Sequence, residues 1–329
     1  IGKSFVSGLR DDDPNTCASD GSGRGTQAVR CFAVTGTSYV NVDGFTVTNG
    51  YSSCDNSDLT KAGSAYNGGL VYVDTANAHV TFSDCEFGKG CAYRGSLVSG
   101  GRYDRCVFSD CAPLAGGVLR LSELNFCRID GMRDGKVGGV VCDSSSSLYQ
   151  CTLVAGSGMA NPLTLSIPVI NSVIIGIGGK YQSTPGRIIG SVLSNYTNLP
   201  TPVPDEIEYV EGDPIFVNRA DGDYRVGDIS PAVGEAKCVS DWWTRPVTDL
   251  DGRRISFRDG LGVAGAYLRP VQTVTVAGGS LTVSSTELYS SSETAPASYL
   301  FNGIVYAPNT GSRAQRVLLL QTASGHPSV

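Results

Sequence analysis

The chain has 329 residues, 41% of them hydrophobic, enough for a continuous core and too apolar for a disordered polymer. Gly is abundant at 42, Met and His are scarce at 2 each, and only 17% of residues are charged, a profile of short strands and many turns. The net charge of −6 and the lack of any Lys/Arg run argue against a nucleic-acid partner, and no stretch of 18 apolar residues is present to form a membrane-spanning helix.

The chain begins at Ile1 rather than Met, with no charged-then-apolar leader ahead of it, as expected of a processed or truncated chain. Asp11-Asp12-Asp13 reads as a solvated turn. Eleven cysteines point to an oxidising compartment, hence to an extracellular or cell-surface protein, and Cys17 with Cys31 is a candidate loop disulfide. Cys54, Cys142 and Cys238 fall in less regular stretches.

From Phe45 onward a unit recurs in which a small residue is followed two positions later by a bulky apolar one. It reads Phe45-Thr46-Val47, Cys85-Glu86-Phe87, Cys106-Val107-Phe108, Cys127-Arg128-Ile129, Cys151-Thr152-Leu153, Ser172-Val173-Ile174 and Ser191-Val192-Leu193. From Cys85 the copies are 21, 21, 24, 21 and 19 residues apart, and the 40 residues from Phe45 to Cys85 read as two periods. A second strand per period is predicted at Gly68–Val73, Gly95–Val98, Gly116–Leu119 and Gly138–Val141. Units this short cannot bury an apolar face alone, so they must stack, and stacking in register predicts an all-β fold, a right-handed parallel β-helix. Cys85, Cys106, Cys127 and Cys151 then form an interior ladder of small buried side chains. A zinc site would need ligands converging from closely spaced pairs, which this spacing does not supply. Cys91 and Cys111 fall at a neighbouring corner.

Later in the chain come Gly212-Asp213-Pro214-Ile215-Phe216, the turn formers Asp221-Gly222-Asp223, then Ser230-Pro231-Ala232-Val233, Asp251-Gly252 and Gly265-Ala266-Tyr267. In this order the motifs resemble the terminal coils of bacterial secreted β-helix proteins of the pectate-lyase-like superfamily, nearest to the choice-of-anchor Q type with repeats like those of polymorphic outer-membrane proteins. The resemblance spans roughly residues 38 to 268. It implies that this segment closes the C-terminal end of the helix, with its Asp residues in structural turns rather than on calcium. The organisation expected is an N-terminal cap or first coils in 1–37, the β-helix with closing coils in 38–269, and a small β domain or assembly extension in 270–329. Strand-like runs in the last region are Val274-Thr275-Val276, Leu281-Thr282-Val283, Tyr299-Leu300-Phe301 and Arg316–Leu320. Unpaired strands at such an end seek partners, so self-association through 270–329 is one expectation.

Members of this superfamily include polysaccharide lyases and hydrolases, which need paired carboxylates or a base beside a charge-neutralising group. Asp84 with Asp104, and Asp110 with Asp130, lie one coil apart. Lys89, Arg94, Arg102, Arg105 and Arg120 fall on adjacent coils with Asp84, Glu86 and Asp104, a face that either binds an acidic polysaccharide or is simply solvated. Trp242-Trp243 could stack on sugar rings, bury at a partner interface, or plug the end of the coil. His79 and His326 are isolated, and Asn195-Tyr196-Thr197 matches a glycosylation acceptor. No residue is assigned a catalytic role and no cofactor is required. The leading expectation is a non-enzymatic surface scaffold, adhesin or filament subunit, with a carbohydrate-active enzyme and a glycan-binding module as rivals.

Overall fold

The computed structural model describes residues 4–8, 29–36, 39–52, 67–74, 79–90, 92, 97–109, 119–130, 146–154, 167–180, 187–197, 201–203, 206–227, 230–237, 246, 248–252 and 261–267. Beyond these it describes the strands lying within 271–328. The chain forms two compact units, Ile1–Thr286 and Glu287–Val329. The expected all-β solenoid is present: two long sheets in the first unit are wholly parallel, and no helix among the described residues is long and apolar enough to cross a membrane.

The stack opens with β1 (Ser4–Ser7), β2 (Phe32–Val34), β3 (Tyr39–Asp43) and β4 (Phe45–Thr48). Three-strand coils follow: β5 (Val71–Val73), β6 (His79–Ser83) and β7 (Glu86–Gly88); β8 (Val98–Ser99), β9 (Arg102–Asp104) and β10 (Val107–Ser109); β11 (Leu119–Arg120), β12 (Glu123–Asn125) and β13 (Arg128–Ile129). The stack continues with β14 (Ser147–Tyr149), β15 (Thr152–Val154), β16 (Val169–Ile170), β17 (Val173–Lys180), β18 (Ile188–Thr197) and β19 (Ile207–Glu211). Strands β2, β5, β8 and β11 form face one. On face two lie β3, β6, β9, β12, β14 and β16, and on face three β1, β4, β7, β10, β13, β15 and β17. The long β18 bends across the corner and joins faces two and three into a single 15-stranded sheet, with β19 beyond it.

Of the predicted second strands, Val71–Val73, Val98 and Leu119 lie in face-one strands; residues 95–96, 116–118 and 138–141 lie outside the described residues. One spacing is corrected. Phe45 is one coil from Cys85, not two, because β4 pairs directly with β7, Thr46 beside Glu86 and Val47 beside Phe87. The surplus length falls between Ser52 and Asn67, outside the described residues.

Between faces two and three every coil turns on one residue in the left-handed region. These residues are Gly44 (φ 74°), Asp84 (53°), Arg105 (53°), Phe126 (54°), Gln150 (51°), Asn171 (51°) and Gly190 (58°). For a non-glycine residue this conformation costs about 1–2 kcal/mol. Two sets of hydrogen bonds offset it. Each corner N–H donates across the stack, as from Asp84 to the Asp104 carbonyl (3.0 Å) and from Arg105 to the Asn125 carbonyl (2.8 Å). The next residue then reaches back to the carbonyl two positions earlier: Cys106 Sγ to Asp104 (3.4 Å), Cys127 Sγ to Asn125 (3.4 Å), Cys151 Sγ to Tyr149 (3.4 Å), Ser172 Oγ to Ile170 (2.8 Å). The cysteine ladder and its serine continuation therefore share one task, filling a narrow corner while closing it with a donor. All four ladder cysteines are free thiols. Contact with Cys106 and then burial push the Cys85 thiol above its ordinary range, and burial raises Cys127.

Inward positions stack like on like: Phe87 on Phe108 (centroids 5.0 Å, 13° between planes) and Phe82 on Tyr103 (5.2 Å, 7°). The two columns meet edge to face, Tyr103 against Phe108 at 5.4 Å. Leu124, Ile129, Leu148, Leu153, Val169, Ile174 and Leu193 carry the same core toward β19.

The segment expected to close the helix end folds differently. Strands β20 (Phe216–Asn218) and β21 (Asp223–Val226) pair antiparallel, as do β22 (Val233–Lys237) and β23 (Leu261–Val263). Both hairpins lie along the outer side of face three. There Val154, Val173, Ile175 and Val192 point out of the solenoid and pack with Tyr224, Val226, Ala232, Ala236, Val263 and Tyr267. Pinning bonds run from Ala266 N to Thr152 Oγ1 (2.9 Å), from Gly265 N to the Asn171 carbonyl (2.8 Å), and in both directions between the Asn171 amide and Lys237 (2.7 and 2.8 Å). The physical reason is that face three turns apolar on both sides from Val154 onward, and a second layer must cover it.

Strands β24 (Val271–Val276) and β25 (Gly279–Ser284) form a further hairpin in the first unit. Among the described residues of the second unit, β26 (Tyr299–Phe301) pairs antiparallel with β27 (Ile304–Tyr306) and β28 (Leu320–Gln321) with β29 (Pro327–Ser328).

Candidate functional site

Two arginines of the basic face expected from the sequence, Arg102 and Arg105, are held in ion pairs. Arg102, on the outer side of face two, donates through Nε to both Asp104 oxygens (2.9 and 3.1 Å) and lies 3.8 Å from Glu123. Asn125 Nδ2 holds the same Asp104 at 2.8 Å. Arg105, a corner residue, grips Asp84 bidentately (2.9 and 2.7 Å), which raises its own pKa further. Arg120 sits on face one, away from that pair. Asp84 and Asp104 are thus each engaged by a different arginine rather than facing a common space. Glu86 accepts from Thr46 Oγ1 (3.3 Å), and His79 stacks on Tyr39 (4.6 Å). Arg94, Asp110, Trp242, Trp243 and His326 lie outside the described residues. Cys31 is a free, half-buried thiol, pushed by burial up to about 11 and directed at the Thr48 carbonyl (3.3 Å). No disulfide is seen among the described residues, and Cys17, the partner expected for Cys31, is outside them.

What the sequence reading missed is a cleft of about 270 Å³ at the seam where the hairpins meet face three. Arg128, the outward residue of β13, lines it together with Tyr267 and Asp251. The turn between β20 and β21 and the strand after it add Asp221, Gly222, Asp223 and Arg225 to the lining. That turn is built by Asn218, whose side chain donates to Asp221 Oδ2 (2.6 Å), and by Gly222 in the left-handed region at φ 75°.

The charges here are held in place. Arg225 donates to both oxygens of Asp223 (2.9 and 2.5 Å), which keeps that carboxyl below its usual range. Arg128 donates to the Gly222 carbonyl (3.2 Å) and lies over the Tyr224 ring at 5.6 Å. Behind it Asp130, only 8% exposed, faces Arg128 Nε across 3.6 Å, and neither of these two atoms has a hydrogen-bond partner among the described residues. Burial raises the pKa of Asp130 despite the pull of Arg128 and Tyr224.

The neighbouring carboxyls are therefore shifted in opposite directions, and their pH signatures differ. The folded-state pKa of Asp130 lies above its unfolded value, so its contribution to stability is complete below the ordinary carboxylate range and is lost as pH rises through the raised value. Asp223 contributes above that range and loses its contribution as pH falls through its depressed value. Asp130→Asn should flatten the decline of the thermal midpoint as pH rises from about 4 toward neutrality. An unchanged slope would show that Asp130 does not titrate there.

Among the described residues no group of three His, Cys, Asp or Glu side chains is placed to hold a metal ion. No protein-family model matches this chain. A search of curated proteins found no match either.

Proposed function

We propose that this chain is a non-enzymatic extracellular or cell-surface β-helix of the pectate-lyase-like kind, a scaffold or adhesin whose units join end to end. The observation that carries the proposal is the pair of strand edges bounding the solenoid. Among the described residues β1 pairs only with β4 and β3 only with β6, and the side chains there are unusually exposed for their size, Phe5 at 74% and Tyr39 at 81%. At the other end β19 pairs among the described strands only with β18. Ile207 continues face two, and Tyr209, Val210 and Glu211 continue face three. Ile207 already exchanges both backbone bonds with Val203 (3.0 and 2.7 Å), so its part of the edge is taken; among the described residues the stretch Tyr209–Glu211 is what matches the face-three edge of β1 at the other end. A second copy presenting its β1 there would extend face three in parallel, a head-to-tail contact that does not close on itself and so propagates.

The test is the mass of the intact chain by light scattering against concentration, with negative-stain microscopy, for the natural sequence and for a Phe5→Lys, Tyr39→Lys double variant. Concentration-dependent linear assemblies that shorten in the variant are the expected result. A natural chain that remains monomeric throughout would overturn the proposal.

A further inference from the structure

The cleft at the hairpin seam is unused by end-to-end assembly, and its lining restricts what it can hold. Its charged lining disfavours an apolar ligand, which would strip water from ionised groups and return no hydrogen bonds. Asp221, Asp223 and Asp251 repel an anion. The guanidiniums of Arg128 and Arg225 repel a compact cation. What remains is an uncharged molecule rich in both donors and acceptors. Carboxylates accept from adjacent hydroxyls, and guanidiniums donate to hydroxyl and ring oxygens.

The volume is just under the range of about 300–1,000 Å³ usual for drug-sized ligands, which favours a single small ring. The lining is also fixed beforehand. Arg225 is clamped on Asp223, and Arg128 is held by the Gly222 carbonyl and the Tyr224 face, so little side-chain freedom is left to lose on binding.

We propose that this cleft binds one neutral sugar ring, with Arg128 and Arg225 as donors and Asp221, Asp223 and Asp251 as acceptors for its hydroxyls. The three carboxylates make the site select against acidic sugars. Such a site would let the solenoid side wall hold uncharged glycan whether or not the units assemble.

The experiment uses the full chain with D-glucose, D-galactose, D-mannose and D-galacturonate, followed by saturation-transfer NMR and titration calorimetry. At least one neutral hexose is expected to bind saturably in the millimolar range, with galacturonate at least tenfold weaker. An Asp221→Asn, Asp251→Asn double variant should lose at least tenfold in affinity; the exposed Asp221→Asn change alone guards against misfolding and should weaken binding severalfold. Absence of binding by all three neutral hexoses, equal binding of galacturonate, or undiminished binding by a folded double variant would each overturn the proposal. None of these readouts depends on oligomeric state, so failure here and failure of end-to-end assembly are separable.

Discussion

Phe108→Ala is expected to destabilise the solenoid by about 3–5 kcal/mol, the usual cost of emptying a large aromatic site in a well-packed core. Phe108 is fully buried, stacks on Phe87, and meets Tyr103 edge to face. Truncation removes its own burial and leaves both neighbours facing a void. Such aromatic contacts contribute about 0.5–1.5 kcal/mol each beyond area. Parallel backbone bonds on either side hold β7 and β13 at fixed spacing, so the walls cannot collapse inward to refill the space. Because each coil contacts mainly its neighbours, the loss should appear as early unfolding of the coils around β10 rather than as uniform softening. Hydrogen exchange resolved by segment, with denaturant titration for the total, is the measurement. A change below about 1 kcal/mol would mean that the aromatic columns are not the source of core stability.

A second large effect is expected at Gly190, where β18 crosses from face two to face three. A Cβ there would sit 2.4 Å from Asn171 Oδ1 and 2.7 Å from the Glu235 carbonyl, on a backbone already at φ 58°. Asn171 is the residue that bonds Lys237 in both directions, so Gly190→Ala should break the clamp between solenoid and hairpins as well as strain the corner. Left-handed strain of about 1–3 kcal/mol and a buried amide deprived of its partners at about 1–3 kcal/mol make a total of about 2–6 kcal/mol. The damage should be directional. Protease should cut within 212–267 far faster than in the natural chain, while far-ultraviolet dichroism keeps most of its strand signal. Equal protease resistance would show that the hairpins are held by their apolar face alone.

The solenoid was legible because stacking like on like forces apolar residues into a fixed phase. Phe87, Phe108, Ile129, Leu153 and Ile174 recur two positions after a small corner residue, and the period follows from counting. Face two was harder to read. Arg102-Tyr103-Asp104 and Glu123-Leu124-Asn125 each turn a single residue inward and resemble loop. The lateral hairpins were misread as terminal coils, although a signal was present. Glu86-Phe87-Gly88 alternates, whereas Val173-Ile174-Ile175 is apolar throughout, the mark of a strand covered on both sides. The cleft has no local motif at all. Arg128 and Asp130 flank the inward Ile129 on one coil, while Asp221, Asp223 and Asp251 arrive about a hundred residues later, and only the fold-back joins them. On the basic face, residues close in sequence register pair with one another, as Arg105 does with Asp84.

The left-handed corner between faces two and three behaves like a ruled margin. Its backbone angle is imposed by the coils above and below, so residues as unlike as Asp84, Arg105, Phe126 and Gln150 hold the same conformation within a few degrees. Identity at this margin is thus decoupled from shape, and the outward chemistry can be rewritten one rung at a time at a pitch of about 4.8 Å. The protein has written two different messages there. Asp84 and Arg105 present paired charge to solvent, and farther along Phe126 and Asn171 are covered and fastened. A solenoid with such a margin can acquire a lateral domain without altering its winding, by changing single letters along one edge.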